Sequence, residues 1–161
     1  ATDSNISEWG YTKPGIGYTI GTTQTGDGII TFTGQPHNGV YNGNVMVPVT
    51  NNNETNDGGG RRWNFVSNPY PSYINGHTFL TTNAGVIDTS FTAIYMWVGY
   101  DFVLYSPASN LFYLAPGQGF WIAALRAKGG NLMFTKEMRT IVGGGSLPTN
   151  IDTLNVVPTT P

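Results

Sequence analysis

Apolar residues occur along this chain in short runs, without the long amphipathic stretches that a helical protein requires. Gly, Pro, Asn or paired Thr interrupts almost every window of about a dozen residues, and such interruptions disfavour helices. The alternation of Val45, Val47 and Val49 is the clearest and is typical of a strand with one buried face. The pattern therefore predicts a fold built from short strands.

The runs that lie between turn signals are predicted to be strands: Gly17–Gly21, Gly28–Gly34, Asn44–Thr50, Arg62–Ser67, Ala93–Val98, Phe102–Ser106, Gly119–Ala124 and Asn131–Thr135. A short segment after a Pro-rich turn, Asn75–Ala84, is the one weak helical candidate. Many short strands separated by Gly, Pro and Asn turns are typical of antiparallel sandwiches and barrels. We predict an all-β fold, an antiparallel β-sandwich of jelly-roll-like form.

Two segments near opposite ends of the chain resemble each other. Pro14–Ile20 reads PGIGYTI and Pro116–Ile122 reads PGQGFWI, and an aromatic–Thr pair follows each of them, at 32–33 and at 134–135. This similarity is consistent with the duplication of a PGxG[YF]xI hairpin. Chance similarity in a Gly-rich chain is the alternative.

Polar and Gly-rich segments indicate how the chain is organised. Thr50–Gly60 contains no apolar residue and is expected to be a solvated loop. Residues 143–161 begin with three glycines and end Pro-rich, as linkers do, although their Ile, Leu and Val residues would also suit a last edge strand. We therefore predict an N-terminal extension at 1–7, a β-sandwich module at 8–142, and a C-terminal linker or edge strand at 143–161.

Composition and charge narrow the classes of function. Charged residues make up 10% of the chain and the net charge is −2, whereas an average globular protein has roughly 25% charged residues. The 7 Lys and Arg residues are scattered, so no basic face for nucleic-acid phosphates is expected. A hydrophobic content of 39% is enough to fill a core. No stretch has the length of about 18 apolar residues that a membrane span needs.

Residues that support catalysis are sparse. The chain has no Cys, and its two histidines, His37 and His77, lie in turn-like segments that suit surface residues. No serine lies in a G-x-S-x-G elbow. The carboxylates Glu8, Asp101 and Glu137 show no spacing that implies the facing pair of a glycosidase. We predict no catalytic residues and no enzymatic activity.

Oxygen-bearing side chains leave one metal hypothesis open. Asp27, Asn53 and Asp57 are weak candidate ligands for a structural Ca²⁺, which takes clustered oxygen ligands. The EF-hand spacing is missing, and a solvated loop explains the Asn-rich run equally well. The favoured expectation is that the protein has no cofactor.

Aromatic residues are the most informative feature, at 13% of the chain. Tyr and Trp suit surfaces that are packed on one side and wet on the other, and rings among Asn, Gln and Thr suit a neutral glycan. Trp63, Trp97 and Trp121 lie inside apolar strands and are expected in the core. Tyrosines beside predicted turns are the candidate ligand contacts: Tyr70, Tyr73, Tyr100, Tyr105 and Tyr113.

Four motifs in series give the chain a family resemblance: WNFVSNPYPS (63–72), AIYMW (93–97), LAPGQGFWI (114–122) and FTKEMR (134–139). They resemble a β-rich accessory module of secreted and cell-surface proteins of the Bacteroidetes, which typically precedes the sorting domain read by the type IX secretion system. The resemblance covers about residues 10–140. In the NPYPS motif, Pro69 and Pro71 fix the backbone, and the Asn68 side chain is expected to cap the turn.

The resemblance implies secretion and a non-catalytic role, and it supplies no catalytic residues. We therefore expect an extracellular or cell-surface module that binds a polysaccharide or a surface or matrix protein through loop aromatics. The alternative is a structural spacer or a self-assembling surface subunit, because a strand edge with little charge offers little resistance to pairing.

Overall fold

The computed structural model describes residues 12–19, 44–51, 62–125 and 129–140. The predicted strand Gly28–Gly34 lies outside these residues, as does the segment 143–161. Of the predicted strand Gly17–Gly21, only residues 17–19 are described, and they are not in a strand. Their neighbour Ile16 forms an isolated antiparallel bridge with Val66.

The described residues form short strands and one helix: β1 (Val45–Val49), β2 (Trp63–Ser67), β3 (Tyr73–Asn75), α1 (Gly76–Thr82), β4 (Ile94–Trp97), β5 (Phe102–Tyr105), β6 (Tyr113–Leu114), β7 (Gly119–Ala123), β8 (Gly130–Phe134) and β9 (Arg139–Thr140). Single 3-10 turns lie at Thr89–Phe91 and Lys136–Met138. No helix in the described ranges is long and apolar enough to cross a membrane.

The strands form three antiparallel sheets. β1 pairs with β8, the four-stranded sheet has the order β2-β7-β4-β5, and β3 lies between β6 and β9. The prediction of an all-β, antiparallel fold is confirmed, and the arrangement is that of an open, sandwich-like structure. The jelly-roll form and the duplicated hairpin stay predictions, since they depend partly on residues 20–43.

One hydrophobic core joins the three sheets. Val45, Val47 and Val49 are buried and alternate with exposed Met46 and Pro48, as the sequence pattern predicts. The ring of Phe79 on α1 packs against Phe120 of β7 at 5.3 Å and Phe134 of β8 at 5.0 Å between ring centroids. These rings connect the helix to two different sheets, and all three are fully buried.

The helix α1 is short because polar caps define both of its ends. Asn75 begins the helix, and its side-chain oxygen accepts a hydrogen bond from the Thr78 N–H at 3.1 Å. Asn83 follows the last turn, and its side chain forms two hydrogen bonds with the backbone of Met133 on β8, at 2.7 and 3.0 Å. The weak helical candidate at Asn75–Ala84 is therefore a helix, fixed by its contact with the sheet.

The two similar segments of the sequence lie on opposite sides of β2. Ile16 bridges Val66 on one edge of the strand, and Gly119 is paired with Ser67 on the other. Both Pro-Gly turns contain a glycine with positive φ, 82° at Gly15 and 68° at Gly117. The two turns thus have similar backbone geometry at one end of β2.

Candidate ligand-binding face

One face of the four-stranded sheet is turned away from the core and consists largely of aromatic rings. Side chains alternate across a strand, and the inward residues Val66, Ile94, Met96, Phe120 and Ile122 are buried. The strand register places the remaining large side chains together on the outward side. We call this surface the aromatic face; its large residues are Trp63, Phe65, Tyr95, Trp97, Phe102, Leu104 and Trp121.

Ring contacts run across this face from strand to strand. Trp63 of β2 meets Tyr95 of β4 edge to face at 4.8 Å between centroids. Phe65 of β2 lies beside Trp121 of β7 at 4.9 Å and an interplanar angle of 36°. On the outer pair of strands, Trp97 and Phe102 meet at 5.1 Å. The rings therefore form three contacting pairs on one side of the sheet, and the register pairs Tyr95 of one with Trp121 of another.

The end of the face nearest the β4–β5 turn is the most exposed. Trp97 is 57% exposed, Phe102 44% and Leu104 53%, and Tyr100 in the turn itself is 81% exposed. The prediction that Trp97 belongs to the core is wrong. Since Met96 points inward and is buried, the alternation of the strand turns Trp97 outward. Trp63 and Trp121 are half-buried on the same face and also lie outside the core.

The ring of Phe65 lies over two glycine backbones. A methyl group at Gly17 would lie 2.5 Å from Cδ1 of Phe65, and one at Gly119 would lie 2.5 Å from its Cζ. Both distances are too short for real side chains, so the ring occupies the space above both residues. Gly17 and Gly119 are the corresponding glycines of the two PGxG segments.

Among the described residues, the charged side chains at two borders of the aromatic face are held by local contacts. Arg62 and Asp88 form an ion pair at 3.2 Å at one border, and the guanidinium lies 5.0 Å from the ring centroid of Phe91. Burial and the nearby Asp88 carboxylate raise the pKa of the Tyr95 hydroxyl, which therefore stays protonated. At the other border, Asp101 in the β4–β5 turn accepts a hydrogen bond from the Phe102 N–H at 2.7 Å.

Two of the five candidate tyrosines pack toward the core, Tyr70 fully buried and Tyr105 half-buried. Tyr70 is 1% exposed, and its hydroxyl donates a hydrogen bond to the Phe134 carbonyl at 2.8 Å. The prediction that Tyr70 is an exposed contact is therefore wrong: the NPYPS turn directs this side chain into the core. Tyr105 packs against the core and lies 4.8 Å from the ring of Phe112, on the opposite side of the sheet from the aromatic face.

The other three candidate tyrosines lie on two different surfaces. Tyr73 and Tyr113 are half-buried on the three-stranded sheet, where Asn75 is paired with Tyr113. Tyr100 lies in the turn at the end of the aromatic face. The five residues do not converge on one site. The sequence did contain the signal for the aromatic face, because the tryptophans alternate with residues of the core, but it did not show which side of each strand is buried.

The residues considered for catalysis and metal binding add no site. Glu137 is fully exposed, and hydrogen bonds from its own backbone N–H and the Thr135 hydroxyl lower its pKa, so it is poorly suited to act as a general acid. His77 packs edge to face against Phe112 at 5.2 Å. No group of three metal-ligating side chains occurs among the residues described. Glu8, His37 and the candidate calcium ligands Asp27, Asn53 and Asp57 lie outside them.

Comparison with known proteins gives one match. The sequence model of a family described as "Domain of unknown function (DUF8693)" matches residues 4–114, more than half of the chain. No significant match is found among curated proteins or among solved structures. The matched range includes β2, β4 and β5 of the aromatic face, and β7 follows it.

Proposed function

The chain belongs to this family of unknown function, and we propose that it is a non-catalytic extracellular module that binds glycan through the aromatic face. The observation that carries the proposal is the group of three ring pairs on the outward side of the four-stranded sheet, with Trp97 and Tyr100 exposed at its end. This surface replaces the loop tyrosines as the predicted contact.

The chemistry of the face supports a sugar ligand. Aromatic rings stack on the apolar C–H faces of a pyranose without needing charge, and the Trp N–H and Tyr O–H groups remain available for hydroxyls. A large exposed apolar patch on a monomeric protein is usually functional. The rings and the single Leu of this face offer no acid–base pair, which supports a binding role without a catalytic step.

The proposed location follows from the motifs of the sequence. The NPYPS, IYMW, APGQGF and MR segments resemble an accessory module of secreted Bacteroidetes proteins, and such modules act outside the cell. The partner would therefore be a polysaccharide or a surface or matrix component.

A second candidate function is that of a self-assembling surface subunit. The observation that favours it is the exposure of apolar side chains without polar tips, 53% for Leu104, 54% for Leu111 and 61% for Met46. Such side chains suit contact with another protein better than contact with sugar hydroxyls. Sedimentation velocity separates the two candidates, because a self-assembling subunit sediments as an oligomer at micromolar concentration and a glycan-binding module as a monomer.

Binding to polysaccharides tests the proposal directly. The purified chain is incubated with cellulose, chitin, agar, α-glucans, alginate and carrageenan, and any binding is followed by tryptophan fluorescence. We expect saturable binding to at least one of them and its loss in Trp97→Ala and Tyr100→Ala. Met46→Ala, an exposed apolar residue on a different sheet, is the matched control and retains binding. The proposal fails if the chain binds none of these polymers, or if Met46→Ala weakens binding as much as Trp97→Ala.

A further inference from the structure

We propose that Phe65 and Trp121 form the central stacking subsite of the aromatic face, and that this subsite takes the sugar ring of an uncharged polysaccharide. This inference rests on the proposed glycan-binding function and specifies its ligand class. It also gives a role to the two PGxG segments, whose glycines position the Phe65 ring.

The first argument is the seat beneath Phe65. One side of the ring, Cγ, Cδ1 and Cε1, lies within 2.9 Å of the place where a Gly17 methyl group would be. Its far end, Cζ and Cε2, lies within 3.0 Å of the corresponding place at Gly119. The Phe65 ring therefore extends from the backbone of Gly17 to the backbone of Gly119 and packs against both. Phe65 is half-buried in this position.

The second argument is the arrangement of the rings beside Phe65. Phe65 is paired with Trp121 across β2 and β7, and Trp121 is paired with Tyr95 across β7 and β4. The same antiparallel register places Trp97 opposite Gly119, so the exposed indole lies next to a position without a side chain. With an interplanar angle of 36°, Phe65 and Trp121 are the most nearly parallel of these ring pairs, since the Trp63–Tyr95 and Trp97–Phe102 pairs meet edge to face. The C–H face of a pyranose chair stacks on the face of an aromatic ring, and this pair presents two such rings in similar orientations.

The third argument is charge. The outward positions of β2, β7, β4 and β5 are aromatic, aliphatic, Gly, Ala or Ser, and none of them ionises near neutral pH. Among the described residues, Arg62 is the cation at the border of the face and is held in an ion pair with Asp88, and Asp101 places a negative charge at the exposed end. Against the described residues of this face, an anionic polymer would lose hydration without a compensating cation and would be repelled by Asp101. A neutral polymer meets neither penalty.

The first test replaces the ring while preserving apolar volume. Phe65→Leu removes the flat surface but keeps a large apolar side chain, so the thermal unfolding midpoint should change little while affinity for the neutral polymer falls roughly tenfold or more, as for an aromatic hot spot. The variant is assayed on cellulose, chitin and α-glucan. A Phe65→Leu variant that binds as the wild type does would overturn the subsite.

The second test moves the ring instead of removing it. Gly119→Ala introduces a methyl group 2.5 Å from Cζ of Phe65 and must lift the ring from its seat. Gly85→Ala is the matched control, because nothing lies within 4 Å of a methyl group at that position. We expect weaker binding for Gly119→Ala and unchanged binding for Gly85→Ala. If Gly119→Ala does not fold, Phe65→Leu and Phe65→Tyr decide the question, since Tyr keeps the flat ring and should retain binding.

The charge argument is tested with two polymers that share one backbone. Hydroxyethyl cellulose and carboxymethyl cellulose differ in charge, and affinity electrophoresis compares them from about 50 mM to about 1 M salt. We expect binding to the neutral polymer alone, with no salt dependence; where α-glucan is the ligand, hydroxyethyl starch and carboxymethyl starch replace this pair. Preferential binding of the anionic polymer would overturn the ligand class and leave the glycan-binding function standing.

If the wild type binds no polymer at all, the proposed function itself fails. If it instead sediments as an oligomer whose contact is lost in Phe65→Leu, the face is an interface between copies of the chain.

Discussion

At the scale of single residues, Tyr70 connects the NPYPS turn to the core. Its backbone N–H donates a hydrogen bond to the Asn68 side chain at 3.0 Å, and its hydroxyl donates one to the Phe134 carbonyl at 2.8 Å. The Arg139 guanidinium lies 5.4 Å from its ring centroid. Tyr70 therefore joins three separate parts of the chain, and its burial serves stability and not ligand binding.

We predict that Tyr70→Phe lowers the free energy of unfolding by about 1 to 2 kcal/mol at neutral pH, because the Phe134 carbonyl loses its buried donor. Burial, as the largest cause, raises the pKa of Tyr70 above its ordinary value of 10.0. A raised folded-state pKa contributes stability that is complete below pH 10 and is lost as the pH rises through the folded-state value. Urea unfolding from neutral to alkaline pH should therefore show the gap between wild type and Tyr70→Phe narrowing above pH 10. A constant gap across that range would contradict the assignment.

Residue types predicted the polar part of this turn better than its apolar part. Asn68 caps the turn as expected, and its buried amide also donates to the carbonyls of Ser72, Leu114 and Ala115 at 2.8 to 3.1 Å. The capping role of Asn68 depends only on the local backbone of the turn, which Pro69 and Pro71 fix and which the sequence therefore shows. The direction of the Tyr70 side chain depends instead on its contact with Phe134 of β8, which is far from Tyr70 in sequence.

At the scale of elements, the length of each strand decided whether it could be predicted from the sequence. Six predicted strands are confirmed, whereas the predictions missed β3, β6 and β9, which have only two or three residues. A run that short cannot display alternation. Their sheet exists because Ile74 of β3 is paired with Leu114 on one side and Arg139 on the other.

Side chains next to β5 bind some of the backbone N–H groups on its outer edge. The Val98 N–H donates to the Asp101 carbonyl, which sets the hydrogen-bond pattern of the β4–β5 pair. The backbone groups of Val103 and Tyr105 therefore face β4, and those of Phe102, Leu104 and Ser106 face the free edge. Of these outward groups, the Phe102 N–H is bound by Asp101 and the Ser106 N–H by Ser109 Oγ at 2.9 Å. Such local hydrogen bonds make an edge less able to pair with another chain, which favours the glycan-binding proposal over assembly through β5.

The Pro14–Gly15 turn gives a prediction for one element. Gly15 has a φ of 82°, which other residues adopt only with strain, and a methyl group there would also collide with the Val47 side chain. We predict that Gly15→Ala destabilises the protein by about 1 to 3 kcal/mol. The measurement is the midpoint of urea unfolding, with the open position Gly85→Ala as control. Equal midpoints for the two variants would show that this turn does not support β1 and β2.

At the scale of the whole molecule, strands distant in sequence complete every sheet. β1 is paired with β8, β2 with β7, and β3 with β9, so each early strand has a partner that begins after residue 118. The family match ends at residue 114, before all three partners. The folded unit is therefore longer than the matched range and extends at least to Thr140. The module boundary predicted near residue 142 would include this whole unit.

The last prediction follows from these pairings. A chain shortened to residues 1–114 loses β7, β8 and β9, together with the buried side chains of Phe120, Ile122 and Phe134. Burying three such side chains contributes roughly 5 to 9 kcal/mol, which is comparable to the whole stability of a typical domain. The shortened chain should therefore lack cooperative thermal unfolding and dispersed amide resonances. A chain of residues 1–142 keeps every strand pairing seen among the described residues and is expected to unfold cooperatively. If residues 1–114 folded alone, the early strands would have to pair differently, and the aromatic face, which needs β7 between β2 and β4, would not exist in that fragment.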